Sequence, residues 1–391
     1  MGHHKGNGIA ESVLYWSSFV YVLYTGFVWI FFYIPSIVMH TFMSVLFILY
    51  YYSRRKRYVS YKEGVCLILF ILLAVLHALL EYPLWWINLL PAIFLFRLDA
   101  KTKQGLLAFI TKWFGIVMSI SISIFVLSNF MSLPSIGVVD PGLEYNYEPY
   151  DNYVFFLKST KESWLNSIVY RFNGPFVEPG HLSMVCVFLM VANKFDFTSI
   201  YVKILFVSTL LSFSLAGYVL LALGWILTRS HSLKTLIVVL SIATTIVLGI
   251  VRFWGEENPI SLMILSRLEL DDTGHDIKGN NRYYGYNTDL VFEQQIQKNG
   301  LLFGIPKNKY TEWKERKVIG GAGYKLYFLQ YGIISVILLF MLYFSFTIGY
   351  SDRRYVWGFL LMIAAAFLQR GYITAAAWMF PFICSCAYPS E

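Results

Sequence analysis

Three long, mainly apolar stretches, at 105–130, 235–253 and 324–346, decide what this chain can become. Each supplies about the 20 apolar residues with which a helix crosses the hydrocarbon of a bilayer, and a helix satisfies its own backbone where no water is present. Shorter apolar runs between polar breaks raise the expected number to about twelve transmembrane helices. They fall near 10–33, 36–52, 63–80, 83–97, 105–130, 179–193, 198–213, 215–228, 233–253, 322–349, 355–369 and 371–387. Composition agrees: 57% of residues are hydrophobic and only 14% charged, against about 25% charged in soluble domains. The expectation is an all-α polytopic membrane protein, one integral membrane domain over residues 1–391. No charged leader with a short apolar core and a small-residue cleavage site opens the chain, so the first span is expected to serve as the targeting signal.

The net charge of +8 gathers mostly in short loops, which argues for membrane topology rather than a nucleic-acid partner. Arg54, Arg55, Lys56 and Arg57 form one cluster, and Arg97, Lys101 and Lys103 another. Lys194, the pair Arg229 and Lys234, and the pair Arg353 and Arg354 fall in alternate loops of the same side. That side is read as the cytoplasm, with both termini there. Two long polar segments, 131–177 and 254–321, then face outward. Loops longer than about 60 residues translocate whatever their charge, so the many lysines of the second do not upset the assignment. Within it, 260–270 reads as a short amphipathic helix carrying Arg267. Thr288 is a plausible N-cap for a helix running to Lys298, with Asn299-Gly300 as its stop. Cys66, Cys186, Cys384 and Cys386 lie inside or beside apolar stretches and read as small apolar residues, neither a disulfide framework nor a metal site. Walker and Rossmann glycine patterns are absent, so nucleotide-driven pumping by this chain alone is not expected.

The stretch YRFNGPFVEPGHLSM, at 170–184, is the most informative. Pro179 fits the first turn of a helix, which begins there at the outer surface. A helix N-terminus offers free N–H groups and partial positive charge, a natural place for a phosphate. Arg171 lies just upstream, and a turn at Gly174-Pro175 can fold it back over the helix start. Glu178 and His181 are three residues apart and face roughly the same way, which makes them a candidate acid/base pair beside a candidate anion site. Structural readings stand beside this one. Glu178 can simply cap the helix, Arg171 can anchor in lipid headgroups, and His181 can be a hydrogen-bonded interior residue. Ser212, Ser214 and Gly217 read as a polar helix break serving helix packing. Lys307, Lys309, Lys314, Arg316 and Lys317, mixed with Glu312 and Glu315, read as a solvated face. His77, His40 and Glu81 are ionisable groups within or near spans with no partner visible in the sequence.

An arginine, then a glycine and an aromatic, then Glu-Pro-Gly at the head of a span resembles the O-antigen polymerase (Wzy) group of the bacterial O-antigen polymerase and ligase superfamily. Other pieces agree: LSFSLAGY at 211–218, Arg267 and Arg282 in a large late external loop, NGLLFG at 299–304, and GAGYKLYFLQYG at 321–332. The resemblance implies a GT-C-like helical fold with short helices in its two external loops. It implies a metal-independent glycosyltransferase without a cofactor, in the inner membrane with its site facing the periplasm. Its substrates would be undecaprenyl-pyrophosphate-linked oligosaccharides, as donor and as acceptor, drawn from the membrane lipid, with a chain-length regulator protein as a candidate partner. Arg171, Arg267 and Arg282 would bind the pyrophosphate, since guanidinium forks suit phosphate oxygens. Glu178 or His181 would take the acceptor proton, the choice between them staying open. Tyr283, Tyr284 and Tyr286 could offer ring faces to sugars, or serve as interfacial aromatics. An O-antigen ligase acting on lipid A-core would share the fold. A lipid-linked oligosaccharide flippase is the alternative from another class, though transporters place polar residues at mid-membrane on broken helices, and here charges within spans are sparse.

Overall fold

The computed structural model describes residues 4–53, 60–141, 149–159, 171–228, 286–298, 300–321 and 323–387. Among them it is mostly helical. A helix stands at every expected span except 233–253, which lies outside the described residues. Among the described residues, four helices are long and apolar enough to cross a membrane: α2 (Ser36–Ser53), α3 (Tyr61–Leu79), α5 (Ala100–Phe130) and α11 (Tyr324–Ser345). Others, such as α6 (Pro179–Ala192), α7 (Ile200–Leu211), α8 (Leu215–Thr228) and α13 (Ala376–Ser385), are apolar but shorter. Fourteen residues of α-helix reach only about 21 Å, against about 30 Å of hydrocarbon.

Burial identifies the solvent these helices are built for. On α2, Val38, Phe42, Val45 and Leu49 are exposed while Met39, Met43, Phe47 and Tyr50 are buried. Both faces of that helix are therefore apolar, the pattern of a helix lying between protein and lipid. Ile333, Ile337, Met341 and Phe344 form a similar exposed stripe on α11. In water such surfaces would drive aggregation, whereas in a bilayer they are the lipid-facing side.

The chain divides into two compact units. One gathers Met1–Val22, Pro35–Phe109 and Asn281–Glu391. In it α3 starts with a capping box, in which the Ser60 hydroxyl accepts from the Glu63 N–H while the Glu63 carboxylate accepts from the Ser60 N–H. The same carboxylate lies 3.6 Å from the Arg97 guanidinium at the end of α4 (Leu90–Arg97), which also stacks 4.3 Å over the Tyr51 ring. Three helix ends are tied at one point. His77, given no partner by the sequence, has two. Its Nδ1 faces the Leu73 carbonyl at 2.7 Å and must donate to it, so Nε2 carries the lone pair that accepts from the Ser335 hydroxyl at 3.1 Å. The ring is stacked flat on Trp85, with centroids 3.6 Å apart.

Helix α11 is broken at Gly332, whose φ of 81° lies in the left-handed region. The backbone groups freed by the break are taken up by the chain at 301–305. Ile333 N–H donates to Leu301 O at 2.9 Å, Ile334 N–H to Leu302 O at 3.1 Å, and Ile305 N–H to Leu329 O at 2.8 Å. The approach is so close that a Cβ on Gly304 would stand 2.7 Å from the Gly332 nitrogen, and one on Gly332 would collide with the Phe303 backbone. The second long polar segment carries two short helices, α9 (Thr288–Gln297) and α10 (Lys307–Glu315), seated on a core of Val291, Leu301, Ile305, Ile319 and Leu329. Thr288 is not the N-cap. Asn287 holds that position, and the Thr288 hydroxyl is instead spent on the N–H and carbonyl of Gly320, both at 3.0 Å. The short helix expected at 260–270 lies outside the described residues.

The other unit gathers Leu23–Ile34 and Ile110–Asn280. At its centre is α6, on which every residue after Pro179 is buried. Helix α8 approaches it so closely that a Cβ on Gly217 would collide with Ser183, and α5 meets α7 where Gly115 faces Tyr201. The small residues of the break at 211–218 serve packing as expected. The first long polar segment, expected to hold short helices, instead carries a three-stranded antiparallel sheet in its described residues: β1 (Val138–Val139), β2 (Tyr150–Asn152) and β3 (Leu157–Ser159). With Val177 it encloses a small apolar cluster of Val139 and Leu157, which brings the sheet against the start of α6.

Candidate functional site

The segment 171–178 leads into α6, and its backbone is fastened on four sides. Phe172 N–H donates to Leu211 O at the end of α7 (3.1 Å), and Leu157 N–H of β3 donates to Gly174 O (2.8 Å). Trp29 N–H donates to Pro175 O (3.1 Å), and Val177 N–H to Phe27 O (3.3 Å). The Tyr150 hydroxyl adds a bond to Val177 O at 2.7 Å. Within the segment Asn173 makes a turn over Gly174-Pro175. Its Nδ2 donates to Phe176 O at 2.6 Å, and Phe176 N–H returns to Asn173 O at 3.0 Å. Gly174 takes a φ of 55°, where a side chain is costly. Phe172, Asn173, Phe176 and Val177 are buried. A loop so fully satisfied is rigid, and rigidity is what precise presentation of a side chain requires.

Glu178 occupies the N-cap position of α6, with φ −144° and ψ 134°, but its side chain makes no capping hydrogen bond. Only its carbonyl serves the helix, accepting from His181 N–H at 3.1 Å and Leu182 N–H at 3.3 Å. The carboxylate is turned instead toward His181, whose Nε2 lies 3.6 Å from Oε2. That separation is an ion-pair distance, too long for a hydrogen bond. The two groups differ in access: the Glu178 side chain is 29% exposed and that of His181 only 3%. The Phe27 ring closes over the imidazole with centroids 4.8 Å apart. The result is a carboxylate facing outward, backed by a buried imidazole, at the positive end of a helix dipole.

Arg171 is held at the break between α7 and α8, its Nε donating to Ser212 O at 3.3 Å. Carbonyls at a helix C-terminus attract a cation. Around that carbonyl the break is internally bonded: the Ser212 hydroxyl donates to Thr209 O, Ser214 N–H donates to the Ser212 hydroxyl, and Gly217 N–H donates to the Ser214 hydroxyl. Arg171, Glu178 and His181 thus share one unit, with Glu178 and His181 in direct juxtaposition. Tyr286 belongs to the other unit, where its ring covers Gly320 so closely that a Cβ there would collide with it. Arg267, Arg282, Tyr283 and Tyr284 lie outside the described residues.

Three contributors escape the sequence pattern. Asn173 carries a local signal, since Asn-Gly-Pro is a turn signature. Phe27 and Tyr150 carry none, because they reach the site only through the chain's tertiary course. Comparison with protein-family models, with curated proteins and with solved structures finds no match.

Proposed function

We propose that this chain is a polysaccharide polymerase, a glycosyltransferase that moves a growing glycan from undecaprenyl pyrophosphate onto the next lipid-linked repeat unit. In this reading it is a GT-C-like protein of about twelve spans in a bacterial inner membrane, with both termini cytoplasmic and the site open to the periplasm. One observation carries it: at the head of α6 an accessible carboxylate is withheld from helix capping and set against a buried imidazole. The O-antigen polymerase resemblance of the same residues supplies the reaction class.

The acceptor hydroxyl gives its proton to Glu178, the accessible member of the pair, as its oxygen bonds to the anomeric carbon of the donor. The bond from that carbon to the pyrophosphate oxygen breaks, and undecaprenyl pyrophosphate leaves with the electron pair. Arg171 meets the charge that gathers on the leaving group, joined by Arg267 and Arg282 on the strength of the resemblance. His181 steadies the carboxylate. No metal or cofactor takes part in these steps.

The test is a gel of surface glycans from a strain lacking the protein, beside its complemented parent. Glycan reduced to a single repeat unit is the expected result. Long chains left on the lipid carrier would indicate a ligase, loss of outward-facing repeat units a flippase, and an unchanged ladder would overturn the assignment.

A further inference from the structure

We infer that α10 and its C-terminal flank form a surface that binds anionic phospholipid headgroups at the membrane boundary. Position is the first support. The Lys307 N–H, at the start of α10, donates to Leu80 O at 3.1 Å, immediately after the end of α3, a helix long enough to cross a membrane. The core beneath α10 includes Leu329 of α11, another such helix. The ends of two membrane helices therefore set the level of α10. Leu79 and Leu84 beside that junction, and Leu302 and Phe303 in the segment before α10, are exposed apolar side chains at the same place. Such residues belong in the acyl region.

Charge is the second support. With 3.6 residues per turn, Tyr310 and Trp313 share one face, and both pack on the core. Lys307 and Lys314 fall on one flank of that face, Lys309 and Arg316 on the other, with Lys317 just beyond the helix. Glu312 and Glu315 fall opposite. All seven charged side chains are exposed. Arg316 is drawn to Glu312 at 2.9 Å, and Lys309 extends across the Trp313 ring at 4.9 Å. The basic groups border the side that faces the membrane helices and the acids point away from it. This is the distribution by which an interfacial helix meets headgroup phosphates.

The experiment follows the Tm of the full-length protein in neutral detergent micelles during titration with phosphatidylglycerol, phosphatidylcholine or inorganic phosphate. Phosphatidylglycerol is expected to raise Tm at much lower concentration than phosphatidylcholine, with a response that weakens as salt is added. A variant carrying Lys309→Gln, Lys314→Gln and Lys317→Gln should need roughly a hundredfold more phosphatidylglycerol, since each basic group near an anionic surface contributes about fivefold. The same three positions changed to Arg should keep the wild-type response, which separates charge from any loss of fold. A glutamine variant that responds like wild type, or inorganic phosphate that protects as well as phosphatidylglycerol, would overturn the proposal.

Discussion

Glu178 stands where a helix ordinarily takes a side-chain cap, and its carboxylate does not provide one. That departure gives a sharp expectation. Glu178→Gln keeps size and polarity but cannot accept a proton, so chain extension should fall by about 10²-fold or more while the amount of protein in the membrane is unchanged. A glycan ladder read beside an immunoblot decides it. If Glu178 only stabilised the helix, the blot would change and the ladder would follow it. Arg171→Lys keeps charge but loses the planar fork, and should retain part of the activity that Arg171→Ala abolishes. Asn173 answers to stability instead. Its removal leaves the buried Phe176 carbonyl short of a donor, so Asn173→Ala should cost about 1–3 kcal/mol. Asn173→Asp should do worse, because it turns an oxygen toward that carbonyl. Thermal unfolding in detergent measures both. The sequence displays Arg171, Glu178 and His181 because they lie within eleven residues on a helix start that Pro179 announces. It hides Phe27, which arrives from far along the chain to cover the imidazole.

Between elements, the firmest constraint is the seam of Gly304 and Gly332. Each glycine occupies the space a Cβ on the other would need, and Gly332 sits at a φ unsuited to other residues. Gly332→Ala should cost about 3 kcal/mol from strain and collision combined, seen as a lower Tm. Gly64→Ala is the control, since Gly64 lies inside α3 with nothing near its missing side chain; there alanine should be neutral or stabilising by about 0.5–1 kcal/mol. Both seam glycines lie in stretches noticed in the sequence, NGLLFG and GAGYKLYFLQYG, but their pairing was not legible. Apolar periodicity reports which face of a helix is buried, not that a loop enters the gap where the helix breaks. The sheet of the first long polar segment was missed for another reason. Its strands are two or three residues long, too short for an alternating pattern to register.

At the scale of the whole molecule, the sequence placed a helix at each expected span that falls among the described residues, because length and apolarity are strong signals in a bilayer. The division into two units was not legible. One unit draws on three separated stretches and the other on two, and nothing in local composition marks where the chain passes between them. Fusions test the proposed orientation. A fluorescent reporter that matures only in the cytoplasm should light up when joined after Glu391, whereas a phosphatase active only outside should work when inserted near Lys317. The opposite pair of results would invert the topology and remove the site from the lipid-linked substrate.

The exposed apolar stripes of α2 and α11 carry a consequence for descent. A lipid-facing position must stay apolar, but one apolar residue serves there nearly as well as another. Val38, Phe42, Ile337 and Met341 are thus free to exchange letters over generations at little cost. A chain with many such positions loses its resemblance to its kin faster than its shape changes. What it keeps should be found where choice is narrow: at two glycines that share one space, and at an asparagine folded over its own turn.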